Sequence, residues 1–235
     1  NTAVYVKDCL FDNISRYMML VEHSGSIHVN NIMVRNVKAH KSNQVQRSLF
    51  SIKESKALII SNSHFKNVSF SMLRVLGILD TGLTNTTFLN CVCPLRIVTN
   101  YKLSVRILLL ESHFLSCSCK LPGGSLRITS MNNSGIYRRQ KLRTKLHSSL
   151  SSNLQVVVII KHSMYNCHSE LNGGGVAIEL SYRIMNVTMR VINCSFYNNT
   201  SDKQGGAAFL TATNLILVRH CRFISNTAIS GGALA

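Results

Sequence analysis

The chain has no tryptophan, two prolines and only nine acidic residues among its 235. So little proline leaves no proline-rich linker to divide it, and the length suits one large domain with a sizeable core. Charged residues make up 15% against 46% hydrophobic ones. That balance is poor for a compact globule, but it suits strands buried on one face and stacked edge to edge. No apolar run reaches the roughly 18 residues that a membrane-spanning helix requires. The longest candidates, Leu154 to Ile160 and Ile107 to Leu110, have strand length. The chain begins at Asn1 and ends on Ser230-Gly231-Gly232-Ala233-Leu234-Ala235, the opening of a repeat, so it reads as a fragment of a longer protein whose compartment a missing leader does not fix.

What the sequence does contain is a degenerate repeat. Phe11, Val34, Phe65, Phe88, Phe114, Tyr165, Phe196 and Phe223 serve as anchors at intervals of 23, 31, 23, 26, 51, 31 and 27 residues. Five residues before them stand Val6, Val29, Ile60, Leu83, Leu109, Ile160, Val191 and Val218, all aliphatic. Seven before stand Val4, Ile27, Leu58, Thr81, Ile107, Val158, Met189 and Ile216, apolar with one exception. Two apolar positions spaced by two form the inward face of one strand. Three before each anchor the residue is polar: Asp8, Asn31, Asn62, Asn85, Glu111, His162, Asn193 or His220. It marks a bend where the alternation slips by one. The position two before is mostly small, and together with the anchor it makes the inward face of the next strand.

Corners follow from the same register. Asn recurs two after the anchor as Asn13, Asn36, Asn67, Asn90 and Asn198, where its tolerance of left-handed backbone suits a tight turn. Gly174-Gly175, Gly205-Gly206 and Gly231-Gly232 supply a second corner that requires positive φ. The 51-residue interval is expected to hold two coils, the second announced by Leu126-x-Ile128-x-Ser130-Met131 and followed by an insertion at about 136–153. A β-sandwich would instead show hairpin turns every 8–12 residues without a shared register. The expectation is therefore an all-β fold, a right-handed single-stranded parallel β-helix (solenoid) of about nine coils over residues 1–235, right-handed because parallel crossovers almost always are.

The motif Asn193-Cys194-Ser195-Phe196-Tyr197-Asn198-Asn199 leading to Gly205-Gly206-Ala207-Ala208, and His220-Cys221-Arg222-Phe223-Ile224-Ser225-Asn226 leading to Gly231-Gly232-Ala233-Leu234, carry a resemblance. They resemble the Phe-x-x-Asn and Gly-Gly-Ala-Ile repeats of polymorphic outer-membrane-protein passenger domains. Large eukaryotic surface proteins with pectate-lyase-like right-handed β-helices have similar repeats. The match is specific over residues 170–235 and loose before them. It implies surface display and adhesion, and transfers no catalytic residue.

Eight cysteines allow disulfides, a reduced core ladder or metal. Cys91 and Cys117 fall three after their anchors, Cys93 and Cys119 five after, and Cys194 and Cys221 two before. Three pairs thus stack on adjacent coils, at a spacing inside the disulfide Cα range. Cys9 and Cys167 have no partner in this register. No His sits at zinc-ligand spacing beside the Cys-x-Cys pairs, and no metal or cofactor is expected. Glycosylation sequons are expected to be used at Asn13, Asn67, Asn85, Asn132, Asn186 and Asn198 if the chain is secreted. Asn193 and Asn199 also begin such triplets, and part of the excess comes from the corner chemistry itself.

The net charge is +17. Its densest run, with Arg138, Arg139, Lys141, Arg143 and Lys145, lies in the insertion, and a second cluster comprises Arg35, Lys38, His40, Lys41 and Arg47. Such a field attracts polyanions. It serves equally as a solvated insertion that keeps a low-charge rod soluble. Nucleic acid is the weaker partner, because the aromatic residues take core positions and leave no stacking platform. Right-handed β-helices that cleave acidic polysaccharides need clustered carboxylates, and no two acids here are adjacent. The expected function is a non-enzymatic extracellular or cell-surface segment for adhesion or recognition, with anionic glycans or a surface protein as partner. The alternative is a carbohydrate-active enzyme, a lyase or hydrolase acting on acidic polysaccharide.

Overall fold

A computed structural model describes residues 2–14, 19–38, 48–69, 73–99, 104–130, 155–180, 186–211 and 215–235. Among them the secondary structure is all strand, with no helix, and every strand pairing is parallel. The strands form sheets of 14, 7 and 4, an arrangement compatible with a parallel β-solenoid.

The first sheet shows why the apolar columns exist. Ala3–Lys7, Ser26–Asn30, Ala57–Ser61, Asp80–Thr84, Val105–Leu115, Gln155–Tyr165, Asn186–Ile192 and Leu215–Arg219 lie side by side in that order. Val4, Ile27, Leu58, Thr81, Ile107, Val158, Met189 and Ile216 are successive partners, and so are Val6 through Val218. Their side chains face inward, and those of Ile27, Leu58, Ile107, Val158 and Met189 are fully buried. Thr81, the polar exception, is buried in the same column with a hydroxyl that meets no partner.

After the bend the phenylalanines stack. Phe65 and Phe88 have ring centroids 5.1 Å apart, Phe88 and Phe114 4.6 Å, and Phe196 and Phe223 5.0 Å, with planes within 10° of parallel. The polar residue at the bend adopts left-handed backbone in seven of the eight repeats, with φ between 46° and 54° at Asp8, Asn31, Asn62, Asn85, Glu111, Asn193 and His220. Asn13, Asn36, Asn67, Asn90 and Asn198 do the same at the second corner. Asparagine tolerates this conformation and bonds locally. Here its amides also bond up the stack, Asn67 Nδ2 donating to Asn36 Oδ1, Asn90 to Asn67, Asn85 to Asn62 and Asn198 to Asn166.

The sixth repeat departs from the expected register. Gln155–Tyr165 has no counterpart of the bulged Glu111, so His162 pairs with Ser112 and Met164 pairs with Phe114. Met164, not Tyr165, is the anchor, fully buried between Phe114 and Phe196 in the column. Tyr165 points outward and sits 6.1 Å from Tyr197. One omitted residue at the bend shifts everything after it by one.

Two further expectations are corrected. Val105–Leu115 pairs directly with Gln155–Tyr165, so no further strand of the first sheet stands between them, and the row carrying these columns has eight strands among the described residues. Leu126–Ser130 belongs to the second sheet, between Leu95–Thr99 and Val176–Glu179. At the glycine corner the positive φ falls on Gly173 (69°) rather than Gly174, and Gly123 (79°) begins the same corner one repeat earlier.

Candidate anion-binding face

The outer face of the second sheet brings together three cations that no local pattern had joined. Leu73–Leu76, Leu95–Thr99 and Leu126–Ser130 are neighbours in the sheet, and Arg96 is directly opposite Arg74 on one side and Arg127 on the other. Alternation explains their outward direction. Leu73, Val75, Leu95, Ile97, Leu126 and Ile128 fill the core, so the residue between each pair faces out. The three guanidinium-bearing side chains thus stand one strand spacing apart, about 4.8 Å along the stack.

Each arginine is only partly exposed. Beside them on the same face run Leu76, Val98 and Thr129, of which Val98 and Thr129 are buried. The Nε atoms of Arg74, Arg96 and Arg127 are buried and meet no hydrogen-bond acceptor. Arg127 Nη2 donates to Glu179 Oε2 at 3.1 Å. Burial, reinforced by the charges of Arg127 and Arg74 on either side, pulls the Arg96 pKa down. Guanidinium remains charged at neutral pH despite this. A row of forked donors of one sign, partly desolvated, is suited to holding oxyanions.

Sequence reasoning missed this ladder because the loops from the anchors to the second sheet vary in length. A signal was nonetheless present: Leu73-Arg74-Val75, Leu95-Arg96-Ile97 and Leu126-Arg127-Ile128 share a Leu-Arg-aliphatic pattern.

Of the expected sites, Arg138, Arg139, Lys141, Arg143 and Lys145 and the sequon at Asn132 lie outside the described residues, as do His40, Lys41 and Arg47. Arg35 is paired with Asp12 at 2.8 Å. Asn13, Asn67, Asn85 and Asn198 are exposed at left-handed corners. Asn13 and Asn67 line a groove of about 480 Å³ together with Val37 and Val92. Asn186 begins the strand Asn186–Ile192. Asn199 is fully buried, its Oδ1 accepting from Cys167 N and its Nδ2 donating to Met164 O and Asn226 Oδ1. That amide has no room for a glycan in the folded chain.

Seven of the eight cysteines fall into three sets, and Cys9 stands apart as a half-buried free thiol. Cys93 and Cys119 form a disulfide with Cα atoms 4.7 Å apart, closing a sequence separation of 26. Cys91 and Cys117 stack as buried thiols, and Cys167 extends their column once Met164 is taken as the anchor. Hydrogen bonding to Cys167 and Cys91, with burial, pushes the Cys117 thiol well above its ordinary range. Cys194 and Cys221 share one position on successive repeats, each thiol donating to backbone carbonyls. Breaking the Cys93–Cys119 bond by reduction, or by a Cys93→Ser/Cys119→Ser pair, is expected to lower stability by about 3 kcal/mol. Urea denaturation with and without reductant measures it, and the serine variant should no longer respond to reductant.

Among the described residues no three His, Cys, Asp or Glu side chains come together as metal ligands, and no helix is long and apolar enough to cross a membrane. Comparison with family models, curated proteins and solved structures found no match to the chain.

Proposed function

We propose that this chain is a non-enzymatic segment of an extracellular or cell-surface protein that adheres to anionic glycans, built as a right-handed, single-stranded parallel β-helix of the pectate-lyase-like kind with repeats similar to those of polymorphic outer-membrane proteins. The observation that carries this reading is an unbalanced excess of cations on a rigid stack of parallel strands. Only nine acids oppose 26 lysines and arginines. At least five of those acids, Asp8, Asp12, Glu22, Asp80 and Glu179, already sit in ion pairs with Lys or Arg. The surplus is therefore left to external anions. A stack of sheets offers a rigid frame from which loops and outward rows present charge. The disulfide and the exposed sequons fit an oxidising, glycosylating compartment.

Retention on immobilised heparin and on polygalacturonate tests the reading. The native chain should be held at physiological salt and released as salt rises. Changing Arg138, Arg139, Lys141, Arg143 and Lys145 to glutamine should weaken apparent affinity roughly tenfold, through loss of long-range attraction. A native chain that flows through both matrices at physiological salt would refute the proposal. Release of shortened oligosaccharides during the experiment would favour the polysaccharide-cleaving alternative.

A further inference from the structure

We propose that Arg74, Arg96 and Arg127 form a dedicated site for a linear, multiply charged sugar chain lying along the stacking axis, with one sulfate or carboxylate group on each guanidinium. This deepens the function proposed above and rests on it for the nature of the polymer.

All nine acids of the chain, from Asp8 to Asp202, fall within the described residues. Only Glu179 pairs with a member of the ladder, and it reaches Arg127 alone. The stretches outside the described residues contain no Asp or Glu. No carboxylate of the protein pairs with Arg74 or Arg96. Like charges stacked at strand spacing in a partly desolvated row repel one another, and removing one partner of such a balance is costly. A fold could relieve this by placing a neutral residue at either position, as Ser51 and Ala177 do at the ladder's two ends.

Three buried Nε atoms lack acceptors, and buried donors are normally satisfied. Because those Nε atoms are closed to solvent, an oxyanion engages each partly exposed guanidinium at its Nη donors. Three such places in register, about 4.8 Å apart, match a polymer whose charged groups repeat along an extended chain. An isolated small anion satisfies only one of them. Among the described residues, Leu76, Val98 and Thr129 stand beside the ladder and offer no ring on which a base could stack, which favours a charged sugar chain over a nucleic acid. Glu179 closes the row at Arg127 and competes with the ligand for it.

The test uses the full chain and four probes: a sulfated hexasaccharide, an oligogalacturonate of equal length, inorganic sulfate, and a single-stranded oligonucleotide. Calorimetry at physiological salt gives affinity, and thermal unfolding without ligand gives stability. Arg74→Gln/Arg96→Gln should weaken binding of at least one sugar chain tenfold or more, while the melting temperature stays level or rises as repulsion is removed. The sulfated and uronic probes separate the two sources of anion. Glu179→Gln frees Arg127 and should tighten the same binding about threefold, a gain that damage to the fold cannot mimic. Unchanged affinity in both variants overturns the site. If at the same time the insertion glutamines abolish binding, adhesion stands and only the ladder falls. Failure of the native chain to bind any probe overturns both. Oligonucleotide binding equal to that of the sugars overturns the assignment to glycans.

Discussion

Gly174→Ala is expected to cost at least about 3 kcal/mol and to prevent folding where the margin of stability is smaller. The cause is the closeness of successive backbones at the glycine corner. A Cβ on Gly174 would lie 2.1 Å from the carbonyl oxygen of Gly206 and 2.4 Å from that of Thr200. Both obstacles are backbone, and both belong to the next repeat, so no rotamer change relieves them. The same corner stacks repeat on repeat: Gly124 N donates to Gly173 O, Gly174 N to Gly205 O and Gly206 N to Gly231 O. Pushing one layer away strains each of those bonds. Gly82→Ala is the control, since its Cβ would meet nothing nearer than Ile59 Cγ1 and Leu58 O, both at 3.9 Å. Urea titration followed by far-ultraviolet circular dichroism should show a large fall for the first variant. The second should stay within about 0.5 kcal/mol of the parent. Equal midpoints for the two would remove the close-approach explanation.

Phe88→Ala is the other large effect, expected at about 3–5 kcal/mol. Phe88 is fully buried and lies face to face with Phe65 on one side and Phe114 on the other. Truncation opens a gap in the middle of the column and removes two aromatic contacts at once. The surrounding strands are held by their ladders and have little freedom to collapse into the space. Phe88→Met should cost much less, about 1.5 kcal/mol, because the column already accommodates a methionine at Met164. Chemical denaturation of the two variants side by side measures the difference. Similar losses would indicate that ring stacking, rather than filled volume, dominates.

The inward columns were legible in the sequence because their chemistry is strict. A position that faces the core in every repeat admits only aliphatic or small residues, and Val6 through Val218 keep that rule without exception. The left-handed corners were legible for a similar reason, since few residues other than asparagine and glycine adopt that backbone at low cost. The errors came from changes in length between one repeat and the next. Loss of the bulge residue in the strand Gln155–Tyr165 moved the anchor from Tyr165 to Met164 and hid Cys167 from its column. An aromatic residue happened to stand where one was sought. The arginine row escaped for a related reason: Leu73 follows Phe65 by eight residues, Leu95 follows Phe88 by seven and Leu126 follows Phe114 by 12. An outward row constrains only its own strand, so the connecting loop is free to vary and the common offset disappears.

The bond pattern of the corners bears on how such a chain changes length over generations. Asn62 Nδ2 donates to Asn30 Oδ1 and Asn85 Nδ2 to Asn62 Oδ1, so each layer offers the next the groups it received from the last. The 23 residues from Asn62 to Thr84 make up one full period between equivalent bends. Excision of that segment would join Ser61 to Asn85 and bring every inward column back into line. Duplication of it would do likewise. Gene-level gains and losses of one whole period are therefore neutral steps for the fold, whereas a one-residue slip within a strand turns its buried face outward.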